Sequence, residues 1–144
     1  MGYQTHRGSS LIHIRGDRVL SMLAAFNYAL DEDLSTTENL IECLIDIDWE
    51  CVSQGASTLS FTHDPEEAID WQAFITMAPF LEDGSFFEER PDDYVEDLQG
   101  NSCPGVMQAI VEEGVLHCRL YALVETASGQ RVRQLVQVLD PLLF

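Results

Sequence analysis

The last third of the chain places the strongest constraint on the fold, because its residues alternate between apolar and polar. The runs VMQAIV and VLHCRLYALVE are separated by Glu112-Glu113-Gly114, and an ASGQ turn then leads into RVRQLVQVL. In the second run, every other residue from Leu116 to Val124 falls on one face of a strand, whereas His117, Arg119 and Tyr121 fall on the other. Three such runs joined by turns predict a C-terminal antiparallel β-meander.

Three helices are predicted upstream of the meander. Apolar residues recur at near-helical spacing after Asp17, which can cap a helix that ends near Leu30. The capping-box pattern from Ser35 to Glu38 predicts a second helix. The pattern Asp64-Pro65-Glu66-Glu67 predicts that a third helix begins after Asp64, and Pro79 is expected to end or bend it.

Short β-branched or aromatic runs predict further strands. LIHI, within Tyr3–Ile14, is the first, a second begins near Ile47, and Leu59–His63 pairs with it through a QGAS turn. SFFEE follows the turn at Asp83-Gly84, and its two phenylalanines should point to opposite faces of a strand. Residues 1–144 therefore predict one α+β domain, in which about three helices pack on an antiparallel sheet.

The chain contains far more acidic than basic residues. Seven basic and 25 acidic residues give a formal net charge of −18, and all seven basic residues are arginine. The absence of lysine excludes Schiff-base chemistry and a phosphate-binding P-loop. Sixteen acids and no basic residue lie between Arg18 and Arg90. Such a surface repels nucleic acid and anionic lipid and attracts basic proteins, although selection for solubility, a saline cytoplasm or a GC-rich genome would also produce this composition.

Membrane insertion and secretion are not predicted, because the chain lacks an apolar run of eighteen residues and its first residues lack the apolar core of a signal peptide. We therefore expect a cytoplasmic protein.

The four cysteines form no C-x-x-C pair, so buried free thiols are the expected state. Cys103, in GNSCPG, is the cysteine expected in an exposed loop, where a reactive thiol is an alternative. A metal site built from Cys51, His63, Cys103 and His117 is a second alternative, but we predict neither a metal nor a cofactor.

Two segments, MGYQT and MAPFLEDGSFFEE, carry a resemblance to a known group of proteins. They resemble segments of small uncharacterised phage and bacterial proteins that begin MGY-x-T and contain an APYVEDGSYIE-like stretch followed by β-hairpins. The tryptophan-rich hairpin of that group is missing from this chain. The resemblance implies an α+β fold and a mobile-element origin, and it supplies no catalytic residue.

The segment FLEDGSFFEERPDDYVED is the predicted interaction site, because its acids surround an exposed aromatic residue. The residues predicted to bind a partner are Glu82, Asp83, Phe86, Glu88, Glu89, Asp92, Asp93, Glu96 and Asp97. The leading hypothesis is a non-catalytic inhibitor whose carboxylates occupy the basic groove of a nuclease or another nucleic-acid-binding protein, without binding nucleic acid itself.

Two other functions stay open. The first is a small enzyme or ligand-binding domain that uses the polar strand face formed by His117, Arg119 and Tyr121. The second is a structural or self-assembling module, a homo-oligomer to which the apolar C-terminus Pro141–Phe144 contributes surface.

Overall fold

Three helices pack on a seven-stranded antiparallel sheet in the computed structural model, which describes residues 8–143. The strand order is β2-β3-β1-β4-β7-β8-β9, and β5 and β6 form a separate two-stranded sheet. The helices are α1 (Val19–Ala25), α2 (Thr36–Ile45) and α3 (Trp71–Met77). The strands are β1 (Ser10–Arg15), β2 (Trp49–Gln54), β3 (Thr58–His63), β4 (Phe86–Glu89), β5 (Val95–Glu96), β6 (Ser102–Cys103), β7 (Gly105–Glu112), β8 (Val115–Glu125) and β9 (Arg131–Leu139).

The predicted α+β class and the C-terminal meander are confirmed. Strands β7, β8 and β9 follow one another in sequence and in the sheet, and every pairing in the described sheets is antiparallel. The turn between β7 and β8 places Glu113 and Gly114 at positive φ, which favours a tight hairpin connection.

One face of the sheet is buried under the helices. Ile12 and Ile14 of β1 lie opposite Phe61 and Leu59 of β3, and all four side chains are buried in one cluster with residues of α1, α2 and α3. The alternate residues of these strands lie on the other face, where no described helix covers them. Phe87 enters the core and Phe86 lies on the open face, as predicted for this aromatic pair, but Phe86 is half-buried and not exposed.

The second helix begins as its sequence predicts. Ser35 Oγ accepts a hydrogen bond from the Glu38 amide at 3.1 Å, and Glu38 Oε1 accepts one from the Ser35 amide at 2.9 Å. This reciprocal pair completes the capping box and satisfies two backbone donors at the helix start.

The first helix is shorter than predicted, and Asp17 does not cap it. Asp17 pairs with Arg15, and the α-helix begins at Val19 after one turn of 3-10 helix. The helix ends at Ala25 instead of Leu30, because Asn27 takes a left-handed backbone conformation with φ of 53°.

The predicted start of the third helix at Asp64 is wrong. The Asp64 amide donates to the Asp48 carbonyl at 2.9 Å, and the Asp64 side chain closes a local turn by accepting from Glu66. Asp70 caps α3 instead, because its Oδ1 accepts from the Ala73 amide at 3.0 Å. The α-helix ends just before Ala78-Pro79, as predicted, and passes into a 3-10 turn.

Five aromatic rings join the helix layer to the sheet. Trp49 of β2 lies 5.1 Å from His63, 5.6 Å from Phe74 and 6.4 Å from Phe87, measured between ring centroids. Trp71 contacts Phe74 and Phe87 from the start of α3. The cluster therefore ties β2, β3, β4 and α3 together beside the edge of the sheet.

Some predicted features agree with the structure, and others lie outside the described residues. No helix in the described part of the chain is both long and apolar enough to cross a bilayer. LIHI falls in β1 as predicted, whereas Tyr3 to Arg7, the MGYQT segment and Phe144 lie outside the described residues.

Candidate functional site

The largest concentration of acids surrounds α2 and the β2–β3 edge of the sheet. We call this region the acidic surface. Its members are Asp31, Glu32, Asp33, Glu38, Glu42, Asp46, Asp48, Glu50, Asp64, Glu66, Glu67 and Asp70. Asp48 and Asp64 are half-buried, and the other ten are exposed. Their carboxylates face solvent on elements that are anchored in the core.

Backbone and side-chain hydrogen bonds bring the separate acidic stretches together. The Asp31 amide donates to Asn39 Oδ1 at 2.8 Å, which fastens the 31–33 loop to α2. The buried Asn39 amide group donates in turn to the carbonyls of Asp31 and Ser35. At the other end of α2, the bond between Asp48 and Asp64 joins the start of β2 to the 64–70 loop. Asp48 and Asp64, 16 residues apart in sequence, thus become neighbours.

The described arginines lie away from the acidic surface. Arg15 lies opposite Thr58, at the far end of β3 from Asp64, and Arg18 donates to the Pro79 carbonyl at 2.8 Å. Arg119 pairs with Glu112 at 3.1 Å and Arg133 with Glu88 at 2.8 Å. Within residues 8–143, the ion pairs therefore leave all twelve carboxylates of the acidic surface uncompensated.

The first half of the predicted site, residues 82–89, is engaged within the fold. Glu88 accepts two hydrogen bonds from Arg133, at 2.8 and 3.0 Å, and one from Gln108 at 2.8 Å. The Arg133 bonds hold the pKa of the Glu88 carboxyl below its ordinary value, against the effect of burial. Asp83 accepts from the Glu113 amide, and half-buried Glu82 lines a cleft with Arg15.

The remaining predicted residues divide between structural and exposed positions. Glu89 and Phe86 are half-buried on opposite faces of β4. Asp97 is buried and accepts hydrogen bonds from the amides of Asn101 and Gln99, which lower its pKa. Asp92, Asp93 and Glu96 are exposed. The nine residues therefore do not form one surface, and these last three are the ones whose carboxylates are fully available to a partner.

The strand face predicted as an alternative ligand site is formed as expected. His117, Arg119 and Tyr121 lie opposite Ile110, Gln108 and Val106 of β7, on the open face of the sheet. Arg119 is committed to Glu112, and the Arg133 guanidinium lies 5.9 Å from the centre of the Tyr121 ring. A cleft on this face is lined by Glu88, Val106 and Arg133 and excludes all three predicted residues. Arg119 and Arg133 on this face are therefore already paired with acids of the same chain.

The expectation that Cys103 lies in an exposed loop is wrong. Cys103 is buried in β6, and its thiol donates to the buried Asp97 carboxylate at 3.7 Å. Burial and the neighbouring Asp97 charge raise the pKa of this thiol. Burial likewise raises the pKa of Cys43 and of Cys118 to about 11. These three thiols are therefore poor nucleophiles near neutral pH.

The alternative metal site is not assembled. Cys51, His63, Cys103 and His117 lie on four different strands. Among the residues that the structure describes, no three His, Cys, Asp or Glu side chains are grouped closely enough to hold a metal ion.

Cys51 is expected to react first with a thiol reagent. It is the half-buried cysteine, whereas Cys43, Cys103 and Cys118 are buried. Labelling of the native protein with Ellman's reagent should show one fast thiol, and the Cys51→Ser variant should lose that phase alone. Peptide mapping that finds Cys103 labelled as fast as Cys51 would contradict the buried Cys103–Asp97 contact.

Sequence reasoning located the acidic residues but not the surface that they form. The absence of basic residues between Arg18 and Arg90 is the sequence signal for this surface, whereas the density of acids along the chain favours residues 82–97. The comparisons with known proteins add no further guide, because no protein family, curated protein or solved structure matches this chain.

Proposed function

We propose that this chain is a non-catalytic acidic binding protein whose acidic surface occupies the basic groove of a nucleic-acid-binding protein, such as a nuclease. One observation carries the proposal. Twelve carboxylates around α2 and the β2–β3 edge have no ion-pair partner in the described part of the chain, while the described arginines lie elsewhere. A cationic partner would supply the missing counter-charge.

The physical chemistry of the acidic surface suits such a partner. Like charges on one surface repel each other, and a cationic groove relieves that repulsion. Proteins that bind DNA arrange Arg and Lys against a phosphate charge about every 1.7 Å along the helix axis, so closely spaced carboxylates can compete for the same groups. Long-range attraction would also make association fast at low ionic strength.

The helix and strand that carry much of the acidic surface are packed in the core, which favours binding without a backbone rearrangement. Leu40 and Leu44 anchor α2 in the core, and Trp49 anchors the start of β2. Carboxylates held on packed elements lose less conformational freedom on binding than those on a free loop. Asp92 and Asp93 lie in a loop and Glu96 lies on the two-residue strand β5, so we favour the acidic surface over this exposed trio as the principal contact.

The proposal includes the cellular compartment of the protein and its origin. Four free cysteines suit a reducing compartment, so we place the protein in a cytoplasm, where nucleic-acid enzymes are present as targets. The resemblance to phage and bacterial proteins suits an inhibitor carried by a mobile element.

A pull-down tests the proposal. The immobilised protein is incubated with an extract of bacterial cells at about 50 mM salt, and bound proteins are released either with about 200 mM salt or with excess duplex DNA. We expect basic nucleic-acid-binding proteins to be retained and to be released by both treatments, because salt screens the contact and DNA competes for the groove. Retention of no protein, or of proteins that DNA cannot displace, would overturn the proposal.

A further inference from the structure

Strand β9 is an open edge of the seven-stranded sheet. It runs for nine residues, Arg131–Leu139, and within the described residues it pairs with β8 alone. The other side of β9 therefore presents a row of backbone amide and carbonyl groups with no strand of residues 8–143 beside it. Such an edge readily accepts another strand unless the protein protects it.

The composition of β9 offers little protection against pairing. Gln134–Leu139 reads QLVQVL, six residues without a charge, a proline or a glycine. Val132, Leu135 and Val138 are 45%, 44% and 70% exposed. Segments of this kind, with high β-propensity and low charge, favour strand association.

A local irregularity in β9 increases its apolar exposure on one face. The register with β8 shifts between Leu120 and Tyr121, so that Leu135 lies opposite Tyr121 and Val138 lies opposite Arg119. Both aliphatic side chains consequently lie on the open face of the sheet, away from the helices. An added strand could cover them while it bonded to the β9 backbone.

The opposite edge of the sheet, β2, is protected. It has six residues against nine in β9, and it carries the exposed Glu50, whereas Gln134–Leu139 of β9 carries no charge. Short length and charge are devices that limit pairing at natural sheet edges. Both edge strands contain a register shift, so a bulge does not distinguish them. The two edges of the sheet thus differ in how well they are protected against pairing, although Val52 of β2 is also 56% exposed.

We propose that β9 pairs antiparallel with β9 of a second copy of this chain, forming one continuous sheet across a two-fold dimer. Charge favours β9 as the place where two such copies meet. Two copies with a net charge of −18 repel each other over most of their surfaces, whereas β9 contains two arginines and no acid. An interface at β9 brings the copies together where their mutual repulsion is weakest.

The two-fold geometry also brings complementary residues together. With the pairing centred between Val136 and Gln137, Leu135 and Val138 of one copy lie opposite Val138 and Leu135 of the other. The same register places Arg133 opposite the exposed Asp140. The acidic surfaces, at the β2 edges, would then lie at the two outer ends of the dimer.

Sedimentation equilibrium of the full chain tests the pairing, with Val138→Lys as the disrupting variant and Val52→Lys as the matched control. Both substitutions add one positive charge at an exposed valine of an edge strand. We expect the unaltered protein and Val52→Lys to be dimeric, and Val138→Lys to dissociate at least about tenfold more readily. A monomeric unaltered protein would overturn the proposal. Open-ended assembly, or equal loss of association in both variants, would instead indicate head-to-tail pairing of β2 with β9 and would also overturn it.

Amide hydrogen exchange tests the same pairing without relying on a variant. Amides of β9 that point away from β8 should be protected in concentrated unaltered protein and should exchange faster on dilution, as the dimer dissociates. Exchange at these positions that does not change with protein concentration would contradict the interface, even if Val138→Lys failed to fold.

Discussion

Replacing Trp49 with alanine is expected to lower the free energy of unfolding by about 3–5 kcal/mol, the largest stability loss that we predict for one substitution. Trp49 is 1% exposed, and its ring lies within 6.4 Å of the rings of His63, Phe74 and Phe87. Alanine would leave a cavity where the helix layer meets the edge of the sheet. Urea denaturation followed by circular dichroism gives the difference in unfolding free energy.

Val52→Ala is the matched control for this prediction. Val52 belongs to the same strand as Trp49 but is largely exposed, so its truncation should change the unfolding free energy by less than about 1 kcal/mol. A loss of less than about 1 kcal/mol for Trp49→Ala would mean that the aromatic cluster does not join β2 to α3 as described.

The parts of the fold that the sequence predicts are those with local causes. The Ser35–Glu38 capping box needs only residues within one turn, and the alternation in β8 needs only its own period of two. Their hydrogen bonds and faces are therefore set by neighbours in sequence. The meander was predictable for the same reason, since short turns connect its strands.

The start of α3 shows where local reasoning fails. Asp64 and Asp70 are both competent caps, and Asp64 carries the stronger local pattern with Pro65 after it. Tertiary contacts decide between them, because the Asp64 amide is bonded to Asp48 and burial of Phe74 and Met77 fixes the helix further along. Neither contact is visible in the segment itself.

The candidate site shows the same limit. Glu88 and Asp97 are close in sequence to Asp92 and Asp93, yet their carboxylates are hydrogen-bonded within the fold. Glu88 accepts from the Arg133 guanidinium, and Asp97 accepts from the Asn101 backbone amide. Conversely, the acidic surface depends on the pairing of β2 with β3, which brings residues 48 and 64 together. Density of charge along the chain is therefore a poor guide to density of charge in space.

Neutralising three carboxylates of the acidic surface is expected to weaken partner binding by roughly 10- to 100-fold, the largest binding effect that we predict. The substitutions are Glu42→Gln, Asp46→Asn and Glu66→Gln. All three residues are exposed, and their side chains make no described hydrogen bond or ion pair within the fold. The loss should therefore come from missing attraction to the partner, with the melting temperature almost unchanged.

The matched control neutralises the exposed trio of the segment that the sequence predicts as the site, with Asp92→Asn, Asp93→Asn and Glu96→Gln. These substitutions remove the same net charge from another exposed region. A non-specific effect of total charge would weaken both variants equally, whereas a contact at the acidic surface weakens the first variant far more.

The most direct measurement is the affinity of a partner retained in the pull-down for the unaltered protein and for both triple variants, at about 50 and about 200 mM salt. We predict that the variant of the acidic surface binds more weakly and loses less affinity as salt rises, because it makes fewer charge contacts, while the Asp92–Glu96 variant stays within about threefold of the unaltered protein. Equal weakening of both variants, greater weakening of the Asp92–Glu96 variant, or an affinity that ignores salt would contradict the assignment of partner binding to the acidic surface.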